Sequence, residues 1–429
     1  MNLAGKKVAY ITLGCKLNFS ETSTIRRSLE EAGALTVGEK DDAEIFVINT
    51  CSVTDVAEKK GRQLIRKLVH RNPHAYIVVV GCYAQLRARE ILQIEGVSLV
   101  LGANEKFNVE RYLRQMEPSG KNEIHSGDIF KLSAFYPAYS FGDRTRCFLK
   151  IQDGCDYFCT YCTIPFARGL SRSASTAQIV KEIRELSAKG VREIILTGVN
   201  TGDFGRNNGE DFLGLIRTLD SMDEIERYRI SSIEPNLLTE EIIGFVAGSR
   251  HFMPHFHIPL QSGSNEVLRL MHRRYTSEAF ADKIASVRRM IPAAFIGVDI
   301  IVGMRGETER CFQDSLQYIG ELDISQLHVF PYSERQGTKA LEIPLVVSPE
   351  EKHRRVSKMI EISSRKLRQF YHRFESQYRP VLFEDHKTGN FISGFTDNYI
   401  RIQMPYQPSM VNQIVPVKLT GERFVLEDL

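Results

Sequence analysis

A chain of 429 residues has room for about three domains at roughly 150 residues each, which excludes a single small module. With 42% of its residues hydrophobic and 25% charged its make-up is that of an ordinary globular protein. Its longest apolar run, Ile291 to Gly303, is broken by Asp299 and falls short of the roughly 20 residues that a bilayer-spanning helix needs. The net charge of +3, from 56 basic and 53 acidic side chains, neither requires nor forbids a polyanionic partner, because binding depends on where charges cluster. The start MNLAGKKVAYITLGC passes from two lysines straight into a strand-like run without a secretory signal, so a cytoplasmic protein is expected. Eight cysteines in such a compartment are expected to be metal ligands or redox groups rather than a disulfide framework.

From Val8 to about Gly102 the pattern alternates. VAYITLGC is followed by a polar helix starting near Ser20, then AEIFVINTC, a helix from about Thr54 to Arg71, and AYIVVVGC. Strands rich in Ile and Val on both faces, separated by helices, predict a parallel βαβαβ sheet covered on both sides. Cys15, Cys51 and Cys82 each fall at the carboxyl end of one of these strands. Strand carboxyl ends share one edge of a parallel sheet, so three thiols distant in sequence can converge on a single metal centre.

Glu105 to Arg144 reads as a weakly patterned connector, with breaks at Pro118, Ser119, Gly120 and Pro137. Six strand candidates follow, mostly with helical stretches between them: CFLKIQDG, REIILTG, RYRISSIE, HFHIPLQ, AFIGVDIIVG and ISQLHVF. About 190 residues suit an incomplete (β/α)6 barrel, since eight units normally take roughly 250. EEKHRRVSKMIEISSRKLRQFYHRF then has helical periodicity and an excess of Lys and Arg, as either an RNA-facing or a merely solvated helix. From about Gln377 short β-type runs predict a small C-terminal antiparallel β-barrel of the kind that binds oligonucleotides. Its Phe391, Phe395, Tyr399 and Tyr406 either stack on bases or fill the small core. The expected parts are residues 1–120, an N-terminal α/β domain; 141–376, the barrel with the basic helix; and 377–429, the β module.

The chemistry concentrates in Cys155-Asp-Tyr-Phe-Cys159-Thr-Tyr-Cys162, a CxxxCxxC loop after the first barrel strand. An iron-sulfur cubane normally takes four cysteines, so three leave one iron with an open position. Zinc is the competitor, but it usually shows a fourth Cys or His at short spacing, and the next cysteine, Cys311, is far away. Thr197-Gly198-Val199-Asn200, Ser232, Glu234, Gln261 and Asp299 fall at or near predicted strand carboxyl ends, where barrels assemble their sites. Arg168 and Arg172 could meet a carboxylate, an RNA phosphate or a surface partner. Cys147 and Cys311 fit neither trio and read as ordinary buried thiols, and His255 and His257, alternating on one strand face, as hydrogen-bonding groups.

The CxxxCxxC motif at the top of the first strand of a βα barrel resembles the radical S-adenosylmethionine superfamily. MNLAGKKVAYITLGCKLNFSET, INTCSVTDVAEKK and VVVGCYAQ resemble the N-terminal domain of its methylthiotransferases, and the terminal module resembles the RNA-binding TRAM domain. GCKLNFSET and HVFPYSERQGTKA look most like the branch acting on threonylcarbamoyladenosine in tRNA; IIVGMRGET departs from the family form IIVGFPGET at Met304 and Arg305. The resemblance implies a radical 4Fe-4S cluster on Cys155, Cys159 and Cys162 whose open iron is chelated by S-adenosyl-L-methionine, and an auxiliary 4Fe-4S cluster on Cys15, Cys51 and Cys82. It further implies cofactor contact through Tyr161, and cofactor or substrate contact through Asn200, Ser232, Glu234, Gln261 and Asp299. The implied partners are the tRNA anticodon stem-loop, an electron donor such as flavodoxin or ferredoxin, and a sulfur source. No side chain is assigned as a general base, because replacing an adenine C2–H by a thiomethyl group is cofactor chemistry. Related readings are a substrate of isopentenyladenosine in tRNA or of an aspartate in a ribosomal protein; a reading of another class is a non-catalytic iron-sulfur RNA-binding protein.

Overall fold

The computed structural model describes residues 1–116, 122–142 and 145–426, with backbone alone at 386–388; the predicted breaks at Pro118, Ser119 and Gly120, and Arg144 at the end of the connector, lie outside these residues. The N-terminal part is built on β1 (Lys7–Thr12), α1 (Lys16–Glu31), β2 (Leu35–Val37), β3 (Ile45–Thr50), α2 (Asp55–Arg71) and β4 (Tyr76–Gly81). It continues through α3 (Cys82–Leu86), α4 (Ala88–Leu92), β5 (Val97–Leu101), α5 (Val109–Gln115) and β6 (Glu123–His125). The six strands form one parallel sheet in the order β2-β1-β3-β4-β5-β6. Every residue of β3 is buried, as a strand covered by helices on both faces requires. Thr54 caps α2 by accepting from the Ala57 amide. Two expectations change: α1 begins at Lys16 rather than near Ser20, with Cys15 in the capping position, and the stretch read as a connector supplies α5 and the edge strand β6.

After β7 (Ala138–Tyr139), which pairs antiparallel with β8 (Cys147–Lys150), a short hairpin of β9 (Gln152–Asp153) and β10 (Arg172–Ser173) encloses the cysteine loop and α6 (Ile164–Arg168). The βα series runs through α7 (Thr176–Ala188), β11 (Glu193–Thr197), α8 (Phe212–Asp220), β12 (Arg227–Ile230), α9 (Glu240–Gly248) and β13 (His255–Gln261). It ends with α10 (Asn265–Leu270), α11 (Ser277–Met290), β14 (Phe295–Val302), α12 (Glu309–Glu321), β15 (Gln326–Pro331) and α13 (Pro349–His372). Parallel pairing joins β8, β11 and β12, and likewise β13, β14 and β15; bridges Tyr228↔Phe252 and Ser232↔His257 close the seam between the two groups. All six predicted strands are therefore present in one incomplete barrel, whose core of Ile, Leu, Val and Phe is continuous from Leu149 to Leu327.

Helix α13 is the barrel's last helix. Arg355 is buried against Glu307 and Glu351, Lys366 donates to the carbonyls of Gly320 and Leu322, and Arg373 pairs with Asp323. Much of the helix's positive charge thus ties it to the barrel, while Arg365 and Arg368 remain exposed. The C-terminal strands β16 (Tyr378–Thr388), β17 (Phe391–Thr396), β18 (Arg401–Pro405) and β19 (Ile414–Lys418) form a curled antiparallel sheet in the order β18-β17-β16-β19, a half-barrel. It sits on the strand amino ends of the barrel: Arg227 and Arg229 donate to the carbonyls of Pro380, Phe395, Thr396 and Asp397, and Tyr399 lies 4.4 Å from His255 and 5.3 Å from Phe295. Phe395 and Tyr399 therefore pack against the barrel, Tyr406 against the sheet's own core, and Phe391 is exposed. Among the described residues no helix is long and apolar enough to cross a membrane.

Candidate active site

The CxxxCxxC loop is held by backbone geometry that its sequence dictates. Gly154 precedes it at φ 74°, and a Cβ there would lie 2.0 Å from the Leu170 carbonyl oxygen, so glycine is required where the loop's two ends touch. The Cys155 amide donates to the Gly169 carbonyl at 3.0 Å and the Cys162 amide to that of Cys159 at 3.0 Å. Thr160 anchors the far side through its hydroxyl on the Leu270 carbonyl at 2.7 Å. Burial, then the neighbouring thiols, pushes Cys162 up to about 12 and raises Cys155 as well. Arg273, which the sequence did not single out, donates to Cys159 Sγ at 3.3 Å and pairs with Glu234. Glu234 in turn donates its amide to Asn200 Oδ1 at 3.2 Å.

The second trio lies at the carboxyl edge of the N-terminal sheet. Glycine precedes two of its members: at Gly14, φ 109°, a Cβ would come within 2.7 Å of Cys51 Cβ, and at Gly81, φ 98°, within 2.5 Å of the Thr50 carbonyl oxygen. Gly81→Ala is expected to cost about 1–3 kcal/mol through the backbone conformation alone, read as a lower midpoint in urea unfolding. Burial, then Cys82 and Cys15, pushes Cys51 up to about 12.

One cavity of about 290 Å³ lies where the cysteine loop meets the residues that follow Cys51; of the six cysteines Cys162 alone lines it. Val53 and Thr54, next to Cys51, form one wall, and Tyr161 and Cys162 form another; Gln261, Asp299 and Phe330 complete it from the barrel strands. The faces are stitched together by the Asp55 amide donating to Ser333 Oγ at 2.9 Å, and by Arg335, which reaches Ser52 Oγ at 2.8 Å and pairs with Glu58. Of the sequence-derived candidates, Tyr161, Gln261 and Asp299 line the cavity, whereas Asn200 and Glu234 stand behind the cysteine loop. The Ser232 carbonyl accepts from both the amide and the hydroxyl of Thr201.

Arg168 and Arg172 meet carboxylates in the interior, which removes the RNA-phosphate and surface alternatives. Arg168 donates to Glu21 Oε1 at 3.0 Å, Asp153 Oδ1 at 2.9 Å and Asn18 Oδ1 at 2.6 Å; Arg172 reaches Asp153 Oδ2 at 3.3 Å. Lys106 and Lys150 also contact Glu21, at 2.6 and 3.2 Å. Burial alone would raise the Glu21 and Asp153 carboxyls, but Arg168 and the lysines hold both well below the usual carboxylate range. Four cations surround the two carboxylates; burial raises the Cys82 thiol above its ordinary value, and Arg168 and Lys106 pull against that rise. Sequence reasoning missed Glu21, Lys106, Lys150 and Asp153 because their partners lie in distant segments.

Cys147 and Cys311 are buried thiols apart from both trios. His255 is buried against Phe295 and Tyr399; His257 Nε2 lies 2.7 Å from Asp299 Oδ1. The departure at 304–305 leaves the loop well formed: Met304 is buried in the cluster that packs on Tyr161, and Arg305 donates to Glu334 at 2.7 Å and to the Leu341 carbonyl at 2.8 Å.

Comparison with known proteins agrees with this arrangement. The Radical SAM superfamily matches residues 149–319, and the Uncharacterized protein family UPF0004 matches residues 7–102. The chain is 38% identical to the threonylcarbamoyladenosine tRNA methylthiotransferase MtaB of Bacillus subtilis over 96% of its own length and 93% of the relative's. It is 33% identical to the MtaB of Aquifex aeolicus, covering 92% and 96%. It is 31% identical to the tRNA-2-methylthio-N(6)-dimethylallyladenosine synthase of Pelotomaculum thermopropionicum, covering 97% and 96%. Among solved structures, a radical S-adenosylmethionine methyltransferase, TsrM, from Kitasatospora setae shares the fold with a TM-score of 0.54 at 14% identity, over 76% of this chain and 75% of that one. Fold and cysteine loop define a radical S-adenosylmethionine enzyme. More narrowly, the chain belongs to the methylthiotransferase family, enzymes of sulfur and methyl transfer whose superfamily uses S-adenosylmethionine and a 4Fe-4S cluster.

Proposed function

We propose that the protein adds a methylthio group to N6-threonylcarbamoyladenosine at position 37 of tRNA, beside the anticodon, using S-adenosylmethionine and two 4Fe-4S clusters. Cys155, Cys159 and Cys162 hold the radical cluster and Cys15, Cys51 and Cys82 the auxiliary one. The observation that carries this reading is one cavity lined both by Cys162 of the loop and by Val53 and Thr54, which follow Cys51 of the N-terminal trio. Their spacing supports clusters over single ions. Tetrahedral zinc with Zn–S near 2.3 Å brings sulfurs to about 3.8 Å of one another. Among the described residues only His257, Asp299 and His328 bring three ligating atoms within 4.8 Å, so neither cysteine trio is that tight. The bound cofactors supply the radical and sulfur chemistry that replaces an adenine C2–H, which side-chain acids and bases do not reach.

The chain's own residues bind and orient. Arg273 donates to the Cys159 sulfur, Tyr161, Gln261 and Asp299 wall the cofactor and substrate, Glu234 and Asn200 support the cysteine loop through Arg273, and Ser232 holds Thr201. Parts 1–120, 141–376 and 377–429 then divide the work into auxiliary cluster, radical chemistry and RNA-binding, with flavodoxin or ferredoxin as electron donor and an external sulfur source. In a mainly apolar cavity, Thr54, Gln261, Asp299 and Ser333 offer polar groups to the threonylcarbamoyl substituent. The test is nucleoside mass spectrometry of tRNA from a deletion strain. Thiomethylated threonylcarbamoyladenosine is expected to vanish while its unthiolated precursor persists; an unchanged level overturns the proposal and points to a ribosomal-protein or other substrate.

A further inference from the structure

Phe330 is the last residue of β15 on the inner face of the barrel. Side chains alternate along a strand, so Gln326, His328 and Phe330 share one face while Leu327 and Val329 pack into the barrel core on the other. The His328 ring lies 5.3 Å from that of His257 on β13, with Gly297 of β14 beside both. Asp299 and Ile301 continue that face of β14 and line the cavity of about 290 Å³ together with Phe330. Pro331 confines the backbone of Phe330 to an extended conformation. The next two residues are tied to both parts of the chain: the Tyr332 amide donates to the Val302 carbonyl at 2.8 Å, and Ser333 Oγ accepts from the Asp55 amide at 2.9 Å. The ring therefore stands on a fixed rim. Yet it is 47% exposed, and Val53, which lines the cavity from the N-terminal part, is 52% exposed. Two apolar side chains so open are stabilised by burial against a flat apolar ring. Tyr161 and Cys162 occupy the end of the cavity that belongs to the cysteine loop, which leaves the rim to whatever enters from solvent. A volume of about 290 Å³ is near the lower limit for ligand cavities and suits one inserted base. A base stacked in an RNA loop exposes its reacting edge to an enzyme only when turned out of the stack, and turned-out bases are held on aromatic side chains.

We propose that Phe330 is the stacking platform for the target adenine, holding it turned out of the anticodon loop with one purine face on the ring and Val53 closing over the rim. This rests on the RNA substrate assigned above. Phe330 orients the base and exchanges neither proton nor electron with it.

The test uses the full-length, cluster-loaded enzyme and anticodon stem-loop RNAs that carry threonylcarbamoyladenosine or an abasic sugar at position 37. The wild type should bind the base-bearing RNA more tightly than the abasic one. Phe330→Ala should weaken binding of the base-bearing RNA about five- to 150-fold, the usual worth of one base on an aromatic ring, and leave abasic binding within about twofold. Phe330→Tyr should restore the difference, and Phe330→Leu, apolar but without a π face, should not. A wild type that binds both RNAs alike overturns the inference, as does a Phe330→Leu variant that binds them as the wild type does. Lost affinity of Phe330→Ala for S-adenosylmethionine with RNA discrimination intact also overturns it, because the ring would then serve the cofactor. Should Phe330→Ala lose iron or unfold, Phe330→Trp is read instead, since the sequence has no tryptophan of its own. Base-bearing RNA should quench the emission of that variant and abasic RNA should not; equal quenching refutes the inference. If the base dependence holds but the wild type never thiomethylates the RNA, the proposed function fails while the stacking site stands.

Discussion

Arg168→Leu is expected to destabilise the protein by about 3–5 kcal/mol, because removing one member of a buried ion network leaves the others charged and unpaired. Arg168 is 2% exposed and joins Glu21 and Asn18 of the N-terminal part to Asp153 of the barrel. A domain's stability is typically only about 5–15 kcal/mol, so the loss is a large share of the total. Arg168→Lys should recover little, since one ammonium cannot span three acceptors set out for a planar guanidinium. Chemical denaturation monitored by circular dichroism checks both variants. The same network fixes a pH dependence. Glu21 and Asp153 have folded-state values below their unfolded ones, so their stabilisation is fully present above the unfolded carboxylate range near 4 and is lost as pH falls through the lower folded values. Wild-type melting temperature should therefore drop steeply below about pH 4, and Arg168→Leu should show a shallower dependence.

Cys159→Ala is expected to abolish thiomethylation while leaving RNA affinity within about twofold of wild type, since surface binding does not pass through this 7%-exposed side chain. Cys159 belongs to the loop between β9 and α6, and its sulfur accepts from Arg273. Without it the loop offers two cysteines, too few for a cubane that already lacks a fourth. Nucleoside mass spectrometry after single-turnover reaction, set beside a filter-binding titration, separates the two effects. Persistent turnover would remove Cys159 from the cofactor site, and a non-catalytic RNA-binding role would predict unchanged biological function in the variant.

The parts of this molecule legible in its sequence are those specified by local pattern. Runs such as EIILT and FIGVDIIV identified barrel strands because their Ile and Val content is a property of adjacent residues. The cysteine loop could be read because its three cysteines fall within eight positions. The start of α1 was misplaced because Ser20 is a favoured helix cap and cysteine is not; tertiary position at the sheet edge set the boundary instead. The edge strand β6 has three residues, too few for a periodic signal. Glu21, Lys106, Lys150 and Arg168 carry no mutual signature at all, since each acquires meaning only when the chain brings the others beside it.

The shared charges between α1 and the barrel also bear on inheritance. Cutting the gene after the N-terminal sheet would leave Glu21 with Lys106 alone and Arg168 and Lys150 with Asp153 alone, so each fragment would carry part of a buried ion network with its other partners missing. Neither fragment could be lent to a new protein without repairing that seam. The two modules are thereby linked by electrostatics as well as by the peptide bond.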